Sequence, residues 1–377
     1  MADGNGCLSL SPSGDSLRRL ISGDQQSLAA PISEHFVLEG VRARLEADEA
    51  RLSPFAARSA RSRGRLRSEA ESPVRTRFQR DRDRIIHCNA FRRLKHKTQV
   101  FIAPSGDHYV TRLTHTLEVA QVARTIARAL QLNEDLTEAI ALGHDLGHGP
   151  FGHVGEQVLR EFVLASFKHN EQSLRVVDVL EKDGQGLNLT WEVRDGILHH
   201  SKGQSMEGDE HGHPGTLEGQ VVKLADGVAY LNHDIADALR AGIIESGDLP
   251  REAIAVLGQR HGERINTMVC DIVRESWGQP EVRMSPEVLR ATNLLRDFMM
   301  ERVYYAQRAV DEAQRARRLM SALCEYFLNH PEALPEPLRA EAARRGDSRE
   351  RMVCDYLAGM TDSYAIRVFR ELYLPQT

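Results

Sequence analysis

The chain has 377 residues, 41% hydrophobic and 27% charged, with a formal net charge of −5. That is too long for a disulfide-stapled miniprotein, too apolar for a chain disordered throughout, and enough for one large domain or two smaller ones. No run of about 18 apolar residues occurs, so no membrane-spanning helix is expected. The five Cys are odd in number and scattered without a C-x-x-C, which suits a reducing cytoplasm and argues against a disulfide framework or a Cys-rich zinc site.

In chain order, residues 1–38 are Gly/Ser/Asp-rich with weak periodicity and are expected to form a disordered tail. Its start, Met1-Ala2-Asp3-Gly4, has no basic or apolar region of a secretory signal. From Val41 the composition turns helical, and the Arg/Ser-rich stretch 51–75 is expected to be irregular. Asp81 to Val100 predicts a helix with Ile85, Ile86, Ala90, Phe91 and Leu94 inside, and residues 103–107 a turn. Val110 to Leu132 predicts the clearest helix, with Leu113, Leu117, Ala120, Ala123, Ala127 and Leu130 recurring at three and four residues. Asn133 is the expected cap of the next helix, with Glu134 and Asp135 in its first turn and a stop near Gly147-His148-Gly149-Pro150.

Further helices are expected over 152–167, 170–182, 221–240, most of 285–330, and 349–373, with a mobile loop over 203–216. Strand signals are sparse and no internal repeat occurs. The expected class is all-α. The expected division is a tail over 1–38, a catalytic unit over 39–280, and a C-terminal helical region over 281–377 packed on it.

Two residue types are unevenly distributed. Only six of the 49 basic residues are Lys; six Arg and no acid fall between Arg51 and Arg67, and nine basic residues against two Asp between Arg75 and Lys97. Local positive charge attracts phosphates, although most charge runs are solvated helix faces. Eleven of the 16 His fall between His108 and His233, and His clustered beside Asp and Glu suggests a metal site.

Three helices carry the chemistry. Arg112 and His115 are one turn apart on the first. His144-Asp145 stands at the end of the second. Asp226, Tyr230 and Asp234 recur every four residues on the last and share a face. Two imidazoles and two carboxylates (His115, His144, Asp145, Asp226) suit a divalent ion such as Mn²⁺, Mg²⁺, Fe²⁺ or Zn²⁺, with positions left for water and substrate. The alternative, a zinc-protease-like H-D-x-x-H from His144 to His148, needs a continuous helix that Gly147, Gly149 and Pro150 interrupt.

Thr111-Arg112-Leu113-Thr114-His115, then His144-Asp145-Leu146-Gly147-His148-Gly149-Pro150-Phe151-Gly152-His153-Val154-Gly155-Glu156, then Leu224-Ala225-Asp226 resemble the HD-domain superfamily. More narrowly they resemble its bacterial deoxyguanosinetriphosphate triphosphohydrolase-like branch. The segments from Phe78 to His87, Phe91 to Val100, Phe167 to Gln172, and Gly359-Met360-Thr361-Asp362 fit that branch, and the resemblance runs from about residue 52 to about residue 374.

The resemblance implies an HD-domain helical bundle that converts a dNTP and water to a deoxynucleoside and triphosphate. It implies His115, His144, Asp145 and Asp226 as ligands of one divalent ion, Mg²⁺ or Mn²⁺ first, with Fe²⁺, Zn²⁺, Ni²⁺ or Co²⁺ as alternatives. It implies His153 as the catalytic His with Glu156 orienting it, and His148 and His169 facing the triphosphate. Arg112 matches a phosphate-side Arg. Tyr230, Asp234 and Gln99 match positions lining the sugar: Tyr230 against a 2′-OH, Asp234 and Gln99 toward the 3′-OH. A homo-oligomer, a second dNTP as effector, and single-stranded nucleic acid at the Arg-rich stretch are further expectations.

The ligand set alone leaves open an HD-type phosphohydrolase acting on nucleoside monophosphates, cyclic nucleotides or nucleic-acid ends. It also leaves open a non-catalytic nucleotide- or nucleic-acid-binding regulator, against which the presence of all four ligand residues argues.

Overall fold

The computed structural model describes residues 38, 40–99, 109–201, 206, 212–304 and 307–375. The expected tail (save Leu38), the turn at 103–107 and most of the expected loop at 203–216 lie outside the described residues. Among these residues the fold is all-α, as expected: no strand forms, and only two isolated bridges occur, Arg65 with Thr190 and Thr98 with Thr111. No described helix is long and apolar enough to cross a membrane.

The helices are α1 (Val41–Asp48), α2 (Arg77–Ile86), α3 (Asn89–Arg93), α4 (Arg112–Ala129), α5 (Glu134–Gly143), α6 (Gly152–Phe162) and α7 (His169–Arg175). They continue as α8 (Trp191–His199), α9 (Leu217–Arg240), α10 (Arg251–Leu257), α11 (His261–Ser276), α12 (Pro286–Met299), α13 (Gln307–Asn329), α14 (Glu336–Arg345), α15 (Arg349–Ala358) and α16 (Asp362–Tyr373). Segment 51–75 is irregular apart from a short 3₁₀ turn at Ser59–Arg61.

Several expectations change. The helix expected over Asp81–Val100 is two helices, because Cys88 caps α3, its Sγ accepting from the Phe91 N–H, while α2 starts earlier at a Thr76/Gln79 capping box. Ile86 and Leu117, expected inside, are 38% and 51% exposed. Ala120, Ala123, Ala127 and Leu130 are buried as expected, and Val119, Val122 and Ile126 widen the buried stripe of α4. The second helix ends at Gly143, earlier than the glycine-proline stop. Gly359, Met360 and Thr361 split the expected 349–373 helix into α15 and α16. Helices α10 and α11 fall where no element was expected.

Two hydrophobic cores form. In the first, α9 packs along α4, α5 and α8, while α2 covers α5. Leu136, Ile140, Ile126, Val221 and Val228 are fully buried there; burial of one such aliphatic side chain is worth roughly 1.5–3 kcal/mol. The second core sets Val158 and Leu159 of α6 and Phe167 against Met320, Leu323, Cys324, Val353 and Leu357 of the C-terminal helices. Helix α12 belongs to the first core through Val288, Ala291 and Leu295, so residues beyond 281 contribute to both.

The Arg-rich stretch is largely engaged inside the molecule. Arg65 is nearly buried between Asp81 and Glu69 and donates to the Asn188 carbonyl at 2.6 Å. Arg84 donates to the Leu187 and Asn188 carbonyls, Arg63 lies 3.5 Å over the Trp191 ring, and Arg82 pairs with Asp135 and Glu138. Arg supplies five donors in a planar fork, so one side chain can tie an irregular segment to several acceptors.

The start of α5 is fixed by a buried polar knot. Asn133 caps the helix by accepting from the Leu136 N–H at 3.2 Å, and its own N–H donates to Glu218 Oε1 at 2.9 Å. The same oxygen accepts from the Ala57 N–H, while the Asn133 side-chain amide donates to Glu49. Burial pushes the Glu218 carboxyl up to about 7, against the lowering effect of the backbone donors. Its Oε2 is buried without a partner, as a protonated oxygen tolerates better than a charged one.

A raised carboxyl contributes stability that is complete below its unfolded value near 4.5 and is lost as pH rises through 7. Glu218→Gln should therefore flatten this loss: between pH 5 and pH 8.5 the wild type should lose about 2 kcal/mol relative to the variant. Denaturant unfolding at both pH values measures it, and the comparison cancels the pH-independent cost of the amide. Parallel pH dependence in the two proteins would remove the assignment.

Candidate metal centre and its histidine wall

Four side chains converge from three helices. Thr111 caps α4 and accepts from the Thr114 N–H, which places Arg112 and His115 in the buried first turn. His144 is the residue immediately after α5, and its Nδ1–H donates to the Ala141 carbonyl at 2.6 Å. Only the lone pair of Nε2 then remains to His144 in its neutral form, and that atom is buried with no hydrogen-bond partner.

Asp145 follows, and Asp226 projects from the middle of α9. His115 Nε2 lies 3.2 Å from Asp226 Oδ1 and 3.8 Å from Asp145 Oδ2. His144 Nε2 lies 3.5 Å from Asp145 Oδ1 and 4.0 Å from Asp226 Oδ1. Neighbouring ligands of a single ion with bonds of about 2.0–2.2 Å stand roughly 3.0–3.5 Å apart, so this set needs only a small contraction to surround one. The orphaned His144 nitrogen and the mixed imidazole–carboxylate set fit a divalent cation.

Asp145 is the hub. Arg112 Nη1 donates to its Oδ2 at 2.7 Å, and His148 Nε2 lies 3.2 Å from Oδ1. Burial opposes its charge, but His144, His148 and Arg112 outweigh burial and hold the carboxyl well below the usual range. His148 goes the other way: burial first, then the Arg112 and His169 charges, push its pKa well down, so the ring is neutral.

The turn that carries these residues is held by close backbone contact. A Cβ on Gly147 would stand 2.1 Å from the Ser173 nitrogen and 2.4 Å from the His169 carbonyl oxygen. Only glycine lets the turn sit against α7. Ser173 Oγ completes the joint, accepting from the Gly147 N–H and donating to the His144 carbonyl.

Beside this centre stands a wall of imidazoles. The His148 and His169 rings stack with centroids 4.0 Å apart. His169 Nδ1 lies 3.1 Å from Glu156 Oε2. Burial works against the His169 imidazolium, but Glu156 outweighs it and raises the pKa. Glu156 is correspondingly held below the usual carboxylate range, His169 and His153 overcoming burial.

His153 stands at the mouth with its side chain 74% exposed, its Nδ1 3.7 Å from Glu156 Oε2. Glu156 is thus closer to His169 than to His153. Gln99 is buried near the same turn, with Oε1 unpartnered.

The α9 face also carries Tyr230 and Asp234. Asp234 is buried and engaged: Oδ1 lies 2.8 Å from His233 Nδ1, and Tyr304 donates its hydroxyl proton to Oδ2. The Tyr230 and Tyr304 rings stack 6.2 Å apart, and burial raises both phenols. His233 Nε2 meets His115 Nδ1 at 2.9 Å. In the tautomer with His115 donating this bond, its Nε2 lone pair faces Asp226 and Asp145.

His233 and Tyr304 went unrecognised in the sequence, and His200, close to Asp195 along the chain, reads there as either loop or site. His233 had a signal, since Asp226, Tyr230, His233, Asp234 and Asp237 follow the i, i+4, i+7, i+8, i+11 stripe of one helix face. Tyr304 sits on a one-turn π segment, Met300–Tyr304, that no periodicity announces. His200 is buried beside His144, and burial with the His144 and His169 charges pushes its pKa down to about 3.

Comparison with known proteins agrees with this geometry. Residues 112–231 match the family model for the HD domain, and residues 282–371 that for a phosphohydrolase-associated domain. A relative from Caldanaerobacter subterraneus subsp. tengcongensis is 58% identical, covering 86% of this chain and 93% of its own. One from Desulfatibacillum aliphaticivorans is 50% identical over 86% of this chain and 95% of its own, and one from Geobacter sulfurreducens 41% over 89% and 98%. All three are named deoxyguanosinetriphosphate triphosphohydrolase-like proteins. With a His/Asp cluster able to hold a divalent ion and this similarity along most of its length, the chain belongs to the HD-domain phosphohydrolases of the deoxyguanosinetriphosphate triphosphohydrolase-like family.

Proposed function

We propose that the protein hydrolyses a deoxynucleoside triphosphate at its α-phosphorus, releasing a deoxynucleoside and intact triphosphate. The observation that carries this reading is the buried His115–His144–Asp145 cluster, with half-buried Asp226 beside it, next to Arg112 and the stacked His148 and His169 rings. The names of the relatives point to the same substrate class. A divalent ion held by the four residues, Mg²⁺ or Mn²⁺ first, supplies Lewis-acid polarisation of a phosphoryl oxygen and a lowered pKa for an attacking water.

The chain's own groups do the rest. The His169 imidazolium, maintained by Glu156, and the Arg112 guanidinium offset charge on the phosphoryl oxygens. His148 is neutral, with a buried unpartnered Nδ1 facing the same side. His153, at the mouth, protonates the leaving 5′-oxygen, with the Glu156 carboxylate near its Nδ1. On the sugar side Tyr230 opposes a 2′-hydroxyl, while Asp234, coupled to Tyr304, and Gln99 read the 3′-hydroxyl. A cytoplasmic homo-oligomer, with a dNTP effector and single-stranded nucleic acid as further partners, belongs to the same reading.

Product analysis is the direct test. Purified protein with Mn²⁺ or Mg²⁺ and each dNTP, singly and mixed, should release deoxynucleoside and intact triphosphate in equal amounts. Release of pyrophosphate or orthophosphate instead, or turnover of monophosphates alone, would replace this reading with another HD-type phosphohydrolase activity.

His115→Ala and Asp226→Ala should each lose both the ion of the four-ligand site and turnover. His153→Ala should keep the ion yet lose turnover by about 10²- to 10⁴-fold, the usual scale of general acid catalysis. Metal content of the purified variants, read beside kcat, separates the two roles; unchanged kcat in His153→Ala would remove its part as proton donor.

A further inference from the structure

The two imidazoles of the four-residue set are held in their tautomers by different means. His144 gives its Nδ1 proton to the Ala141 carbonyl of the helix it follows, an acceptor that never changes role. The Nδ1 of His115 meets another imidazole instead, His233 Nε2 at 2.9 Å, with the ring planes 82° apart. A neutral imidazole carries one proton and one lone pair, so this contact has two forms. If His115 donates, its Nε2 lone pair is free toward Asp226 and Asp145, 3.2 and 3.8 Å away. If His233 donates, the His115 proton moves to Nε2, and the atom facing the carboxylates can no longer hold a cation.

What selects between the two forms lies on the sugar side. His233 Nδ1 stands 2.8 Å from Asp234 Oδ1, obliquely, at ion-pair distance. A carboxylate there repels a lone pair and attracts an N–H, so the His233 proton sits on Nδ1 and its Nε2 is left to accept. Asp234 is 1% exposed and is gripped from its other oxygen by the Tyr304 hydroxyl, which donates to Oδ2. His233 is equally buried, so bulk water replaces neither of its partners. The order of donation is therefore consistent from end to end: Tyr304 and His233 into Asp234, and His115 into His233.

We propose that His233 is a positioning residue for the metal centre, holding His115 in the tautomer that binds a cation, and that Asp234 acts through it on the cation as well as on the sugar. The inference rests on the four-ligand reading for the ion. It gives His233 a task that neither the motif nor the mechanism assigns. It also makes the cation site depend on Asp234 before any nucleotide is bound. The contrast with His144 explains why: a backbone carbonyl fixes that ring by itself, whereas a ring fixed by another ring needs a third group to set the proton.

Mn²⁺ binding to the metal-stripped, nucleotide-free full-length protein, followed by equilibrium dialysis, reads this apart from activity. His233→Leu cannot accept from His115 and should weaken Mn²⁺ binding by about 10- to 100-fold, the usual cost of losing such a partner. His233→Gln keeps an acceptor oxygen near the place of Nε2 and should restore most of that affinity, which a mere loss of packing would not allow. With Mn²⁺ at saturation, His233→Leu should recover kcat. Asp234→Ala should weaken Mn²⁺ as well, whereas a role confined to the sugar predicts no change; unchanged affinity would remove Asp234 from the chain. Wild-type affinity in His233→Leu, or equal losses in the Leu and Gln variants, would overturn the positioning role and leave the four ligands standing. A wild type that binds no Mn²⁺ would overturn both. Should His233→Leu not fold, ¹⁵N spectra of the histidine-labelled wild type decide: the His115 signal, assigned with His115→Gln, should show its proton on Nδ1 before metal is added, and a proton on Nε2 overturns the proposal.

Discussion

A single buried carboxylate organises this molecule. Asp145 lies out of solvent, where an isolated charge would be untenable. It is kept ionised because His144 and His148, which flank it in the chain, and Arg112 from α4 close on its two oxygens. Removing a partner from such a cluster leaves uncompensated charge in a low-dielectric interior, so the groups hold one another in place. The cluster is also unfinished as a protein structure. The orphaned His144 nitrogen and the close approach of His115 to Asp226 fit a cluster that could hold a metal ion.

The scaffold delivers His115, His144 and Asp145 through helix ends, and Asp226 from the middle of α9. Asn133, Glu218 and Glu49 fix where α5 begins, and Gly147 with Ser173 fixes the turn that follows its end. A polar joint then ties the turn to the C-terminal helices. Lys97 donates to the His148 and Ala358 carbonyls, and Asp362 accepts from the backbone N–H groups of Thr98 and Phe151. The second hydrophobic core, which α6 shares with α13 and α15, therefore bears directly on the position of His148 and His153. The C-terminal helices are part of the site's support even though they place no ligand residue in the four-residue set.

Charge that looks free along the chain is mostly committed in three dimensions. The Arg of residues 58–84 hold irregular segment 51–75 and the 185–190 loop onto α2 through carbonyl and carboxylate acceptors. Their abundance relative to Lys follows from this use, since a planar fork satisfies several acceptors at once where an ammonium makes single contacts.

The sequence by itself determined the helical class and the Asn133 cap, and it named the four residues that the fold brings to one cluster. Those depend on local periodicity, cap chemistry and residue types at short spacing, which act within a few residues. It misplaced Ile86 and Leu117, because helical spacing gives a stripe but not which neighbour covers it. It could not show that Cys88 would break the helix expected over 81–100, since a thiol seldom serves as a cap. Only the tertiary structure decided that Glu156 sits nearer His169 than His153, that Asp234 is taken up by His233 and Tyr304, and that His200 stands against His144. Apart from that of Asp234 with its neighbour His233, these contacts join residues from 13 to 70 positions apart; they exist because burial of two separate cores brings distant segments together, a condition that no local pattern encodes.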